Sequence, residues 1–293
     1  MKNLPLKNLC LLSVLLLASR AAATTENVQF FSNALGETRW LQIYTPNGYD
    51  PNGTRLYPVI YFLHGGAANH TTYTDFPGRL NFLINNGFIE PTIGVMPDGS
   101  GCGPWGGIYT GCNWVNSVTG GNYEDYVVQD VVTYMEANYK VLADRSARAI
   151  MGHSMGGFGS MHIALKYPEM FAGVASMAGY LNFQDFIDVH VPAILAEHPE
   201  GPPYTWSPDT GDFLTTVWFL FGSGFSPNPA NPPYFQDFPL DSNGDVIPSV
   251  MDRWFTFDPS GFASNLTPEE APAIYVDSAS GDAFLFHPFN VNF

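Results

Sequence analysis

One serine in this chain has the neighbours that nucleophilic chemistry requires. Ser154 stands in Gly152-His153-Ser154-Met155-Gly156, after a short apolar run and before a stretch with helical spacing. A turn that passes directly from strand to helix leaves almost no room beside the serine, hence a glycine two positions to either side. Such a turn holds the serine oxygen clear of the sheet, at the positive end of the following helix, where attack on a carbonyl carbon is possible. His64-Gly65-Gly66 directly follows another apolar run. A glycine-rich turn there lets backbone N–H groups face a developing oxyanion, and the N–H of Met155 would complete the set of donors. A carboxylate to orient a base belongs on the loop beyond a late strand. Asp282 fits that position, whereas its competitor Asp277, five residues earlier, falls inside the strand itself.

These residues need a sheet to carry them. Residues 57–63 and 147–151 read as buried strands, 92–96 and 171–177 as two more, and 273–276 as a late one. Helical patterns fall between them. One lies at about 79–85, and one at 126–139 with Val127, Val131, Tyr134 and Met135 on one face. Another follows Ser154, with Phe158, Met161, Ile163 and Leu165, and stops at Tyr167-Pro168. The stretch before residue 46 reads as two antiparallel strands, the clearest at 40–44. Strands alternating with helices mean parallel pairing with crossovers, so the expected fold class is α/β with a doubly wound, mostly parallel sheet.

The pattern breaks between about 180 and 250. Eleven of the 24 prolines lie in residues 192–248, interleaved with Tyr204, Trp206, Trp218, Phe219, Tyr234, Phe235 and Phe238. So much proline forbids regular strands, and so many aromatics forbid a solvated linker. The segment is expected to be an insertion folded as a cap over the ligand-binding edge of the sheet, with one helix at about 212–221.

At 293 residues there is room for one large α/β domain and not for two well-cored ones. Residues 1–23 are expected to be a signal peptide: Lys2 and Lys7 form a basic start, 9–17 a short apolar stretch, and Ala21-Ala22-Ala23 a cleavage site. The expected domain is then 24–293, secreted or periplasmic. Without Lys2, Lys7 and Arg20 it keeps 8 basic residues against 27 acidic ones, which argues against nucleic acid and anionic membrane as partners. Cys10 leaves with the leader. Cys102 and Cys112 bracket a glycine-rich loop and are expected to pair as a disulfide, with two unlinked thiols as the alternative. The histidines are scattered without metal-ligand spacing, so no metal is expected.

Four segments together resemble a known family. Tyr61-Phe62-Leu63-His64-Gly65-Gly66, Met96-Pro97-Asp98-Gly99, Tyr123-Glu124-Asp125-Tyr126 and the run from Arg148 to Gly157 are similar, in order and spacing, to an esterase branch of the α/β-hydrolases. That branch contains esterase D (S-formylglutathione hydrolase), bacterial feruloyl and acetylxylan esterases, and mycolyltransferases. The resemblance runs from about Tyr57 to Asp282. It implies an α/β-hydrolase fold, Ser154 as nucleophile, the N–H groups of Gly66 and Met155 as oxyanion hole, Asp282 as acid, and no cofactor. At the acid the family's usual glycine is Ala279 here.

The resemblance also implies a histidine base after a further helix and strand, and no histidine here matches. His287 follows Asp282 by five residues, too few for another helix between them. His153 projects from another side of the turn, His64 belongs to the oxyanion turn, His162 to the helix after Ser154, and His190 and His198 to the cap. The expectation is that the sequence has lost its end, with a final helix and strand missing. The apolar tail of Phe284, Leu285, Phe286, Phe289 and Phe293 would then have no helix to bury against. His287 as an improvised base is the alternative. The expected function is an exported serine esterase acting on small-molecule or polysaccharide-linked esters of feruloyl, acetyl or similar type. The alternatives are a scaffold without its base that binds a ligand or glycan, and an acyltransferase using the same residues.

Overall fold

The computed structural model describes residues 21–101 and 113–293. The first twenty residues of the expected leader, and both Cys102 and Cys112, therefore lie outside the described residues. In chain order the strands are β1 (Thr24–Ser32), β2 (Glu37–Thr45), β3 (Val59–Leu63), β4 (Ile93–Pro97), the short pair β5 (Asn116–Ser117) and β6 (Gly121–Asn122), β7 (Arg148–His153), β8 (Gly173–Met177) and β9 (Ala273–Asp277). The helices are α1 (Phe76–Asn85), α2 (Tyr123–Asp125), α3 (Val132–Asn138), α4 (Met155–Lys166), α5 (Val191–Glu197), α6 (Phe213–Phe225), α7 (Pro248–Phe255), α8 (Pro259–Ala263) and α9 (His287–Val291).

Among the described residues one seven-stranded sheet runs in the order β1-β2-β4-β3-β7-β8-β9. Pairing is parallel from β4 through β9 and antiparallel at β1–β2 and β2–β4. This is the doubly wound, mostly parallel layout expected from alternating strands and helices. β3 and β4 are almost wholly buried, as strands covered on both faces must be. Their C-terminal ends, with that of β7, gather His64, Asp98 and Ser154 at one edge of the sheet. In parallel α/β sheets that edge is where ligands bind.

Several elements differ from the expectation. Residues 126–139 form a π-helical stretch, Tyr126–Val131, leading into α3, rather than one regular helix. The proline-rich segment is more helical than its composition suggests: besides α6 it contains α5, and α7 and α8 follow. Pro248 and Pro259 sit at the first turns of α7 and α8, where the missing N–H has no partner to lose, whereas Pro192 lies where the π-helical stretch Phe186–His190 passes into α5.

The apolar tail is a correction. Phe286 and Phe289 are buried. Their rings pack against Tyr180 at 5.1 Å and Phe186 at 4.9 Å, in a cluster that also holds Trp218, Phe221 and Trp254. Aromatic rings from residues 180–257 supply the apolar surface that a further helix was expected to provide. At β9, Ile274 and Tyr275 are exposed.

Candidate active site

Ser154 occupies the turn between β7 and α4 with φ 55° and ψ −119°, a conformation costly for any residue with a side chain. The surroundings over-determine it. The Ser154 N–H donates to the Met177 carbonyl at 2.8 Å, and the Ser154 carbonyl accepts the first helical bond from Phe158 at 3.0 Å. A Cβ on Gly152 would lie 2.6 Å from the Leu63 carbonyl oxygen, and one on Gly156 would lie 2.7 Å from that of His64. Both glycines are therefore required by close packing of β7 and α4 against β3. Ser154 is the residue just before the first turn of α4, next to unpaired N–H groups.

The turn after β3 is held through His64. Its Nδ1 lies 2.8 Å from the Gly65 carbonyl, its Nε2 accepts the Gly99 N–H at 2.8 Å, and its carbonyl accepts from Trp114 Nε1 at 3.1 Å. These partners assign the proton to Nδ1, and burial pushes the ring down to about 4, so it stays neutral. Tyr73 braces the same turn from the other side. Its hydroxyl accepts the Gly65 N–H at 3.4 Å and lies 2.9 Å from His153 Nδ1. A Cβ added to Gly66 would meet nothing within 4 Å, so the turn is open where a reacting group would approach.

Behind α4, the buried carboxylate of Glu124 receives His162 Nε2 at 2.8 Å and Lys166 Nζ at 2.8 Å, and Tyr167 also bonds to it. Burial alone would raise this acid. Hydrogen bonds and charge from His162, with bonds from Lys166 and Tyr167, outweigh that and bring it to about 2. The cluster clamps the far end of the helix that Ser154 begins.

A cavity of about 300 Å³ opens on the serine. Gly66, Ala67, Ser154 and Met155 line one side, with Asn113 and Tyr180. α6 contributes Phe213, Thr216, Val217 and Leu220, and the loop after β9 contributes Phe284 and Phe286. No charged side chain is among these described lining residues. Sequence reasoning assembled Gly66, Ser154 and Met155 and expected a cap helix at about 212–221, but it did not assign that helix or Phe284 and Phe286 to the walls of the cavity. The spacing 213, 216, 217, 220 is the helical signal that could have found four of the wall residues.

Asp282 lies on the loop beyond β9, while Asp277 ends the strand itself. Its carboxylate accepts the N–H groups of Phe284 at 2.9 Å and Phe286 at 3.1 Å, which shapes the loop that walls the cavity. His190 ties that loop to the aromatic cluster. Its Nε2–H donates to the Phe284 carbonyl at 2.9 Å, and its Nδ1 accepts from Trp218 Nε1 at 3.0 Å. Burial lowers this ring also to about 4, against the weaker opposing effect of the Phe284 carbonyl.

Among the described residues, no histidine hydrogen-bonds Ser154 or Asp282. His64, His153, His162 and His190 have the partners given above. His70 faces Asp98 at 3.6 Å, His198 bonds Thr215 at 3.0 Å, and His287, at the start of α9, bonds Ser278 at 3.0 Å. Burial lowers His153, which the nearby charge of Asp282 only partly offsets. No cluster of three or more possible metal ligands exists among the described residues, and no helix there is long and apolar enough to cross a membrane.

The sheet order, the strained serine between β7 and α4, and the cavity above it define an α/β-hydrolase fold. The family model described as "Putative esterase" matches residues 32–293, and the chain belongs to that family. It is 35% identical over 153 residues to an esterase of Mycobacterium tuberculosis, covering 52% of this chain and 31% of that protein. An endo-1,4-beta-xylanase/feruloyl esterase of Xylanibacter ruminicola is 28% identical over 162 residues, 53% of this chain and 21% of that one. The chain thus spans less than a third of the length of either relative. Among solved structures, a fluorophosphonate-binding serine hydrolase of Staphylococcus aureus matches with TM-score 0.58 at 18% identity, covering 93% of this chain and 85% of that one. A ferulic acid esterase matches with TM-score 0.54 at 19% identity, covering 89% and 92%. At these identities the two structures speak to the fold alone.

Proposed function

We propose that this chain is an exported serine esterase with Ser154 as its nucleophile. The observation that carries the reading is the strained Ser154 backbone at the head of α4, facing an apolar cavity. The Ser154 hydroxyl attacks the ester carbonyl and passes its proton to a histidine. The N–H groups of Gly66 and Met155 stabilise the charge gathering on the carbonyl oxygen. The alcohol leaves with the proton from that histidine. Water then attacks the acyl-serine, releasing the acid and restoring the hydroxyl. Asp282 orients the base. No histidine among the described residues hydrogen-bonds Ser154, and the family order places the base after the acid, which leaves His287 or a histidine of a longer form of the chain in that role.

Residues 180–250 act as the cap that closes over the bound acyl group. The substrate is an uncharged aryl or acyl ester, free or attached to polysaccharide. The absence of charge among the described lining residues and the relative named for xylanase and feruloyl esterase activity support this, and the basic-apolar-small pattern of residues 1–23 supports export.

The test compares p-nitrophenyl butyrate hydrolysis and fluorophosphonate labelling in two forms, the present chain and one extended by the sequence that follows it, each with and without Ser154→Ala. The reading expects turnover in the extended form that Ser154→Ala removes. A second reading, a binding protein on the same scaffold, is favoured by the lack of any Ser154–histidine bond. It wins if both forms bind ester without hydrolysing it.

A further inference from the structure

Helix α6 uses two faces for two purposes. Leu214, Trp218, Phe221 and Phe225 point into the aromatic cluster shared with Phe186 and Trp254. Phe213, Thr216, Val217 and Leu220 form a stripe at i, i+3, i+4 and i+7 that is one wall of the cavity holding Ser154, with Val217 also touching the cluster. The seven steps from Phe213 to Leu220, at 1.5 Å each, make that wall about 10 Å long. At its outer end Phe213 and Phe284 meet with ring centroids 4.9 Å apart and planes tilted by 56°, and they are 46% and 37% exposed. The two phenyl rings form an apolar rim.

The stripe between the rim and Leu220 carries Thr216 and Val217, knobbly branched side chains rather than flat rings. Its polar atoms are already engaged. Thr216 Oγ1 turns to the Pro208 carbonyl at 3.4 Å. The Asn113 amide donates to the Leu220 carbonyl at 3.1 Å and accepts the Tyr180 hydroxyl at 2.6 Å. These bonds use the Thr216 hydroxyl hydrogen and one Asn113 N–H, so what disfavours a flat aromatic ring here is the branched shape of the wall rather than a lack of polar partners. A wall about 10 Å long whose described residues carry no charge suits a chain of methylenes.

We infer that the acyl group taken by this site is an unbranched apolar chain, laid along the Phe213–Leu220 face of α6. With about 1.25 Å of advance per carbon in an extended chain, a 10 Å wall accommodates roughly eight carbons. This inference rests on the esterase reading for its location, but it concerns binding and is tested without turnover.

The experiment is isothermal titration of the protein with n-alkyl methyl ketones of four to twelve carbons, neutral mimics of the ester carbonyl, and with methyl ferulate. Affinity is expected to tighten about fourfold per added methylene until roughly eight carbons and then level off. Methyl ferulate should bind more weakly than the eight-carbon ketone. Thr216→Phe, which fills the middle of the wall, should bring the plateau at least two carbons earlier. Phe213→Ala, which removes half of the rim, should weaken the longest ketones several-fold while leaving the shortest unchanged. Thermal melts establish that both variants are folded. A plateau at four or five carbons, tighter binding of methyl ferulate than of every ketone, or a profile unmoved by both variants overturns the inference. Loss of the nucleophile role for Ser154 would leave the chain-length profile intact, whereas hydrolysis with a flat profile would remove this inference alone.

Discussion

Gly156 passes directly beneath the carbonyl of Leu63: a methyl group on it would overlap that oxygen, although 93 residues of chain separate the two. α4 can begin where it does only because β3 is there and Gly156 has no side chain. The Ser154 turn is thus a contact between two strands and a helix as much as a local conformation.

Gly156→Ala should therefore be severely destabilising, on the order of 2–4 kcal/mol, because backbone rather than a mobile side chain has to move. Thermal melting checks it. Gly66→Ala is the control, since a Cβ there meets nothing within 4 Å, and its melting temperature should stay close to that of the parent.

Ser154 should separate stability from activity. Ser154→Gly relieves the φ of 55° and should stabilise the fold by about 1 kcal/mol, whereas Ser154→Ala keeps the strain and should not. Both should lower any esterase rate of the full enzyme by several orders of magnitude. Paired melts and a p-nitrophenyl ester assay read both effects, and retained hydrolysis in either variant would falsify the nucleophile assignment.

Stability should fall in mild acid. His64 and His190 are both held near 4 in the folded chain, below the ordinary imidazole value of 6.5. Between those values the unfolded chain takes up protons that the folded chain refuses, so stability is full above about 6.5 and declines as pH falls toward 4. Each ring contributes on the order of 3 kcal/mol to that decline. Urea denaturation at a series of pH values should show it. Replacing either histidine with Gln should make the curve shallower, and a midpoint constant from pH 7 to pH 4.5 would contradict the assignment.

Cys102 and Cys112 should be linked in protein recovered from an oxidising compartment. Thiol titration in denaturant after removal of the leader should find no free sulfhydryl without reductant and two with it. Two free thiols in the unreduced sample would rule the bond out.

How much of this was legible in the sequence depends on the range of the interactions involved. Glycines two residues either side of Ser154, apolar runs of five to seven residues and the alternation of strand and helix are local signals, and each survived into the structure. The helix at about 212–221 was equally local and became α6, whereas the prolines hid α7 and α8, whose starts Pro248 and Pro259 mark.

The sequence by itself determined the parallel sheet, the turn that strains Ser154 and the glycine-rich turn after β3, because those features follow from side-chain size and apolar period over a few residues. Only the tertiary structure decided what surrounds them. It joined α6 to the Phe284–Phe286 loop as two walls of one cavity and buried Phe286 and Phe289 among rings from residues 180–257. It turned His64 and His190 into neutral braces. These are contacts across tens to a hundred residues, whose free energy comes from burial and hydrogen bonding between segments that carry no mark of one another in their own order.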